Sequence, residues 1–246
     1  MNTDTPAGSS GEHEPIGLLD GMATTRAIRR YVPGADIPTE DLNKILFAAT
    51  RAPQGSNRQG FRFVILRDGP NATKARSLIG QSFQDGWAAK RSNDGYDEGS
   101  GRASDSPKAR MARTMQYFVD HVHEAPVIVL ACLRLHRPDS LELGGHIYPA
   151  VQNLLLAARA LGYGGVITGW HRPIDAQLRE LISMPTDDEW QITALIPLGV
   201  PQGGHGPVRR RPMNELVCED TWGEAPAWAI DPPDARFTSG GPKPRR

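Results

Sequence analysis

The stretch VQNLLLAARALGYGG, residues 151–165, contains the glycine cluster on which the fold turns. Gly162-Tyr163-Gly164-Gly165 is the nearest approach in the chain to a dinucleotide-binding fingerprint, and such a fingerprint must follow a strand and open a helix. Here it follows a helix instead. Ile147, Val151, Leu154, Leu155, Ala158 and Leu161 form an apolar stripe at helical spacing. Gly162 then stands where a residue free to take positive φ ends a helix. The glycines therefore read as a helix stop and turn, and a nucleotide held by a Rossmann domain is excluded.

Working outward, the helix so ended is expected over residues 143–161, with Pro149 forcing either a kink or a late start. Residues 38–51 read as a second helix, because Leu42, Ile45, Leu46 and Ala49 recur at i, i+3, i+4 and i+7 behind an acidic start at Thr39-Glu40-Asp41. Further helices are expected over 16–22, 72–90, 109–122 and 174–184. Residues 61–67, 126–133, 166–168 and 191–198 read as strands, the second of them apolar throughout and so buried on both faces. Few strands among long helices make an α+β chain. Residues 1–14 are small, polar and without periodicity, which predicts a disordered leader. The stretch RSNDGYDEGSGRASDSP, residues 91–107, is a long gap poor in apolar residues and is expected to be a mobile insert or lid. From residue 225 a tail rich in Pro, Gly and Arg is expected to be loosely ordered, although Trp228 and Phe237 offer it something to dock. One domain, residues 15–224, remains.

The 28 Lys and Arg balance the 28 Asp and Glu. No global field draws the chain to nucleic acid or to a membrane surface, and neither is expected as a partner. No apolar run approaches the roughly 20 residues that span a bilayer, and the first residues lack the pattern of a secretory signal. Of the two cysteines, Cys132 sits in the apolar run APVIVLACL as a small hydrophobe, and neither it nor Cys218 belongs to a metal-ligand spacing. A cytoplasmic location is expected.

Chemistry has to come from local clusters. The chain has no GxSxG elbow, no HExxH and no GxxxxGK[ST] loop. TTRAIRRYVP, residues 24–33, places Arg26, Arg29 and Arg30 within five positions, and PVRRRP, residues 207–212, adds Arg209, Arg210 and Arg211. Forked guanidinium donors suit a phosphate monoester, and two clusters distant in sequence can converge on one. Each cluster taken alone is more often a solvated face. Between helix and strand, RAPQGSNRQGFRF, residues 51–63, offers a turn at Gly55-Ser56-Asn57. Asn57 and Gln59 each carry a donor and an acceptor that could read an amide-like heterocycle edge.

Taken together these blocks resemble the FMN-dependent nitroreductase family. TTRAIRRY followed by IPTEDLNKILFAATRAP matches its Arg-Arg-Ser-x-Arg-Arg-Phe-like opening and the helix after it. APQGSNRQGFRF matches its Ala-Pro-Ser-x-x-Asn-x-Gln-Pro-Trp-x-Phe segment, VQNLLLAARALGYGG its Gln-Asn-Leu-Leu-Leu-Ala-Ala helix and turn, and LGVPQGGHGPVRRRP its closing strand end and basic run. The four occur in family order. Thr25, Ala27, Gln54 and Gly60-Phe61 depart from the family pattern, at positions where members commonly have Arg, Ser, Ser and Pro-Trp.

The resemblance implies a three-layer α/β/α fold, dimeric, with a mixed central sheet flanked by long helices. It implies phosphate and ribityl contacts from Arg26 and Arg29 with Ala27 at the usual serine position, and flavin contact from Asn57 with Pro53, Gln54 and Gly55. Thr168 and Gly169 match the loop along the isoalloxazine, and Arg209 and Arg211 the later phosphate contacts, with Arg210 as an alternative counterpart. His146, Tyr148, Trp170 and His171 flank these blocks. It further implies an oxidoreductase that receives electrons from NADPH or NADH through bound FMN, in ping-pong order, and delivers them to a small-molecule acceptor such as a nitroaromatic or a quinone. The flavin carries the chemistry, so no side chain is assigned as catalytic. The FMN sites would lie at a homodimer interface. Two alternatives stay open: a same-fold flavoenzyme of different chemistry, by reductive dehalogenation or flavin-fragmenting cofactor synthesis, and a flavin-binding protein without turnover.

Overall fold

The computed structural model describes residues 16–136, 143–186 and 189–237. In chain order the elements are α1 (Leu18–Thr24), α2 (Thr39–Ala49), β1 (Phe61–Leu66), α3 (Pro70–Asn93), α4 (Pro107–His121), β2 (Val127–Arg134), α5 (Tyr148–Ala160), β3 (Gly164–Gly165), α6 (Asp175–Leu181), β4 (Trp190–Gly199), β5 (Arg209–Arg210) and β6 (Arg236–Phe237).

Side-chain period sorts the core into two halves. Along β2, Val127, Val129, Ala131 and Leu133 join one apolar cluster, and Ile128, Leu130 and Cys132 join the other. Helices α2 and α5 cover the first cluster through Leu42, Ile45, Ala49, Val151, Leu154 and Ala158. Helices α3, α4 and α6 cover the second through Ile79, Phe83, Phe118, Val119 and Leu178. The result is three layers, α/β/α, around a sheet of order β1-β2-β4-β3. These four strands pair antiparallel. Parallel pairing is found between β5 and β6 in a separate ribbon, so the expected mixture of strand directions lies outside the central sheet.

One bulge decides which residues of β4 face which core. The register steps from Ala131 opposite Ala194 to Cys132 opposite Ile192, leaving Thr193 without a partner. That single residue reverses the parity. Ile192 and Leu195 therefore share the α3/α4 side, whereas Ala194, Ile196 and Leu198 share the α2/α5 side. The Thr193 hydroxyl donates to the Ala131 carbonyl at 2.8 Å.

The expected strand at 166–168 is corrected. Pairing with β4 is made by Gly164 and Gly165, and then by a lone bridge between Thr168 and Leu195. Gly165 opposite Leu198 and Thr168 opposite Leu195 share one register, which puts Val166 opposite Pro197. A proline nitrogen has no hydrogen to give, so the ladder is interrupted there. The GYGG turn is the expected helix stop. Gly162 has φ +83°, its N–H reaches the Arg159 carbonyl at 3.1 Å, and the Tyr163 N–H reaches Ala158 at 2.8 Å, which is the paired bonding of a Schellman motif. Pro149 lies in the first turn of α5, so that helix starts late, behind a 3₁₀ turn at Leu143–His146.

Helices expected at 16–22 and 174–184 are found at Leu18–Thr24 and Asp175–Leu181, and α3 is longer than expected because Pro70 begins it. Residues 91–107 comprise the end of α3, a 3₁₀ turn at Gly99–Arg102 and the approach to α4. Arg91 grips Asp97 through two hydrogen bonds of 2.9 and 2.8 Å, and Tyr96 packs on Trp87. The expected leader lies outside the described residues, as does the tail beyond Phe237. Among the described residues no helix is long and apolar enough to cross a membrane.

Candidate functional site

The segment carrying Arg26, Arg29 and Arg30 is extended and laid against the chain that follows β4. The Val32 N–H donates to Val200, Gln202 to Arg30, Gly206 to Thr24 and Val208 to Ala23, at 2.9 to 3.3 Å, and Ile28 donates to Gly165 at 2.9 Å. This contact requires small residues. A Cβ on Gly164 would sit 2.5 Å from Cγ1 of Ile28, and one on Gly165 2.5 Å from Cδ2 of Leu198. The glycines that imitate a nucleotide fingerprint thus let the arginine segment approach the sheet. Ile28 and Tyr31 turn inward and are buried. The Tyr31 hydroxyl lies 3.0 Å from the carbonyls of both Ile28 and Pro197, and burial pushes its pKa far up.

The arginines line an open cleft of about 550 Å³, closed on its other side by Pro107, Arg110, Met111 and Thr114 of α4 and by Gln202 and Gly204. Its lining holds four guanidiniums, those of Arg26, Arg29, Arg30 and Arg110, and no carboxylate. Elsewhere in the described residues Arg67, Arg91, Arg134, Arg179 and Arg211 have acidic partners. Arg26 donates to the Gly204 carbonyl at 2.6 Å, and Arg30 lies 4.3 Å over the Tyr117 ring. Arg29 is half-buried. Desolvation lowers its pKa, against the nearby Tyr31 and Tyr96 hydroxyls, which raise it. A partly desolvated cation without a counter-ion is unfavourable, so this group is best satisfied by an anion in the cleft. Ala27 lies there too and brings no hydroxyl.

Arg209 and Arg210 form β5, beside the arginine segment through the Val208 bond to Ala23. Their side chains are exposed and do not line the cleft. Arg211 is committed to Glu215, with its Nε 2.7 Å from Oε2. The structure therefore joins the two basic runs along the backbone and places only the first in the cleft.

Pro53, Gln54, Gly55 and Asn57 are elsewhere. The loop holds three left-handed residues that are not glycine, Ser56, Asn57 and Gln59, at φ +53°, +50° and +50°. Such residues each store roughly 1 kcal/mol or more, and clusters of them mark functional loops. The Gln54 side-chain amide donates to the His146 carbonyl at 2.8 Å, and Gln59 donates to Oδ1 of Asn57 at 3.0 Å. A Cβ on Gly55 would lie 2.9 Å from Cε1 of His146, so the loop is fitted to the start of α5. Gly60 accepts from Arg134, which pairs with Trp190 at the beginning of β4. The arginine segment instead meets Val200 and Pro201, just past the end of β4. At about 3.3 Å per residue these ends are roughly 30 Å apart.

Thr168 and Gly169 lie between them, fixed by two 2.9 Å bonds that Thr168 exchanges with Leu195. Trp170 packs against Phe83 with the two rings tilted by 59° and their centres 5.1 Å apart. His171 is fully buried, its Nε2 2.9 Å from the Ile192 carbonyl and its Nδ1 without a partner; desolvation lowers its pKa, so it is neutral. Tyr148 lines a second cleft of about 460 Å³ with Arg172, Asp175, Arg179 and Thr193. Arg110 and Gln202 were not foreseen from sequence. Ser106-Pro107 announces a helix start, and Ser106 does cap Ala109 at 3.0 Å, but a start signal does not tell which face looks at Arg29.

The Nitroreductase family profile matches residues 22–200. An iodotyrosine deiodinase of Thermotoga neapolitana is 26% identical over 200 residues, covering 81% of this chain and 95% of that one. Iodotyrosine deiodinase 1 of Rattus norvegicus is 23% identical over 194 residues, 74% of this chain; the chain spans 62% of the rat protein's length. The solved structure of the NADPH:FMN oxidoreductase from Vibrio harveyi, complexed with NAD+, shares the fold with a TM-score of 0.60, covering 84% of this chain and 78% of that one at 21% identity.

Proposed function

Because the chain belongs to the nitroreductase family, we propose that it is an FMN-dependent oxidoreductase taking electrons from NADPH or NADH and passing them to a nitroaromatic, a quinone or another electron-poor small molecule. One observation carries the reading: four arginines without a carboxylate line one cleft, and one of them, Arg29, is desolvated. That donor set fits a phosphate monoester.

In this reading Arg26 and Arg29 hold the FMN phosphate, with Arg209 and its neighbours adding positive potential from the adjoining strand. FMN would supply the hydride and electron chemistry. The chain's own residues bind, orient and exclude. Thr168 and Gly169, braced by the bridge to Leu195, give the ring a fixed backbone edge. Asn57 offers an amide to its heteroatoms, presented by the strained loop with Pro53, Gln54 and Gly55. That loop and the arginine cleft lie at opposite ends of β4, and one protomer does not bring them to a single flavin. We therefore assign the protein a twofold homodimer in which each site takes its arginines from one copy and its Asn57 loop from the other.

Purified protein should be yellow, or become so with added FMN, and should bleach when mixed anaerobically with NADPH or NADH. Colourless protein that gains no flavin spectrum overturns the reading; flavin that stays oxidised makes this a binding protein without turnover. A second reading, reductive dehalogenation, is favoured by the two relatives named as iodotyrosine deiodinases. Iodide release from iodotyrosine under reducing conditions separates it from nitro or quinone reduction.

A further inference from the structure

The cleft holds more positive charge than one flavin phosphate requires. A phosphate monoester carries about two negative charges at neutral pH, which Arg26 and Arg29 match. Arg30 and Arg110 remain, both lining the same cleft and neither paired with a carboxylate among the described residues. Each is oriented by its own contact. The Arg30 guanidinium lies on the Tyr117 ring, and among the described residues its edge donors have no hydrogen-bond partner. Arg110 gives one N–H to the Asp105 carbonyl at 2.6 Å and keeps the rest. It stands in the first turn of α4, whose N-terminal dipole adds to the positive field.

We infer that Arg30 and Arg110 form a second phosphomonoester subsite that takes the 2′-phosphate of NADPH and so selects NADPH over NADH. The inference rests on the flavin reading above and names the donor it leaves open. Both nucleotides carry the pyrophosphate, a diester-like group that cannot discriminate between them. Only the 2′-phosphate of NADPH offers three terminal oxygens and nearly two charges, the pattern that two forked guanidiniums bind best.

The test uses the FMN-loaded protein and two readouts. In calorimetry, adenosine 2′,5′-bisphosphate should bind at least about tenfold tighter than 5′-AMP, a difference of about 1.4 kcal/mol, and Arg110→Gln should erase that preference. Arg110→Lys, which keeps the charge but not the fork, should restore part of it. In steady state the ratio of kcat/KM for NADPH to that for NADH should fall about tenfold in Arg110→Gln. Equal binding of the two adenosine nucleotides by the wild type overturns the inference. So does competition by inorganic phosphate as strong as by the bisphosphate, which would make this a site for any free phosphate. Loss of FMN from Arg110→Gln assigns Arg110 to the flavin phosphate and also overturns it. Wild-type protein that takes no FMN fails the underlying reading; yellow protein reduced equally well by both donors fails this inference alone.

Discussion

The two ends of β4 serve the candidate site in opposite ways. Where the arginine segment meets Val200 and Pro201, the non-glycine backbone holds no left-handed residue and is bridged to the following chain, and the information lies in side chains: four guanidiniums without acids. Where the 53–60 loop meets the start of α5, the Gln54 and Gln59 amides are already bonded and the information lies in the backbone, three residues held left-handed. Two of the cations near this second end are already engaged, whereas Arg58 in the loop is exposed. Arg134 pairs with Glu189, and Arg62 gives its Nη1 to the Phe61 carbonyl at 2.7 Å. In the proposed site one end attracts an anion, and the other holds a polar edge in a fixed shape. Recognition of a phosphate is dominated by charge and tolerates motion, whereas reading a planar ring demands a rigid frame.

The comparison breaks most visibly at the charged end. Arg26→Ala with Arg29→Ala removes two charge-assisted contacts, each of roughly 1.5–3 kcal/mol, so FMN affinity should fall by at least about a hundredfold in a fluorescence titration. Arg91→Ala, which breaks an exposed pair with Asp97, should change it less than about twofold. Comparable losses in the two variants would show that the cleft is no more than a solvated basic face.

The next effect tests whether the ends serve one site. Asn57→Ala should weaken FMN binding by about fivefold through a lost neutral hydrogen bond, near 1 kcal/mol. Mixing Asn57→Ala protomers with Arg26→Ala, Arg29→Ala protomers and allowing exchange gives a sharper outcome. If each site draws on two copies, half of a random mixture is heterodimer and about a quarter of all sites regain both ends. No recovery of tight FMN binding, in a mixture shown by mass to contain heterodimers, would place the whole site within one chain.

The same contrast explains what could be read in advance. The charged end was largely legible, because Arg26 and Arg29 are identities, and identity is what the sequence states. The α2 and α5 stripes and the two-faced β2 were legible for a similar reason, since their periods survive folding intact. The bulge at Thr193 was not. It is a relation between two strands, and no local pattern in Gln191 to Thr193 announces it. Pro197 stood in plain view, yet its consequence, the broken ladder opposite Val166, needs the register that only the fold supplies. The left-handed residues Ser56, Asn57 and Gln59 were largely hidden for another reason: none of the three is glycine, and Asn57 alone is of a type that takes this conformation readily. Arg110 entered the cleft through the facing of α4, and Arg211, expected at the phosphate, pairs with Glu215 four residues on.

The smallest effect sets a half-buried and a buried titratable group against each other, one at each end. Burial lowers the pKa of both Arg29 and His171. An arginine starts so high that it stays charged, which is what the cleft requires. A histidine starts near 6.5, so lowering it leaves His171 neutral, with Nε2–H donating to Ile192. Its folded pKa lies below the unfolded value. The stability it contributes is therefore present above about pH 6.5 and is lost as pH falls through the lowered folded value, because the unfolded chain then binds a proton that the folded chain refuses. The slope contributed by one such group cannot exceed about 1.4 kcal/mol per pH unit. His171→Gln keeps an N–H for the Ile192 carbonyl and removes the titration, so its urea midpoint should fall less steeply than the wild type's between about pH 6.5 and 5. His205, also lowered by burial but less enclosed, should show the same flattening to a smaller degree when replaced by Gln. Parallel wild-type and His171→Gln curves across that window would mean that His171 accepts its proton in place, and that this end of the sheet is more open to water than its packing against Ile192 implies.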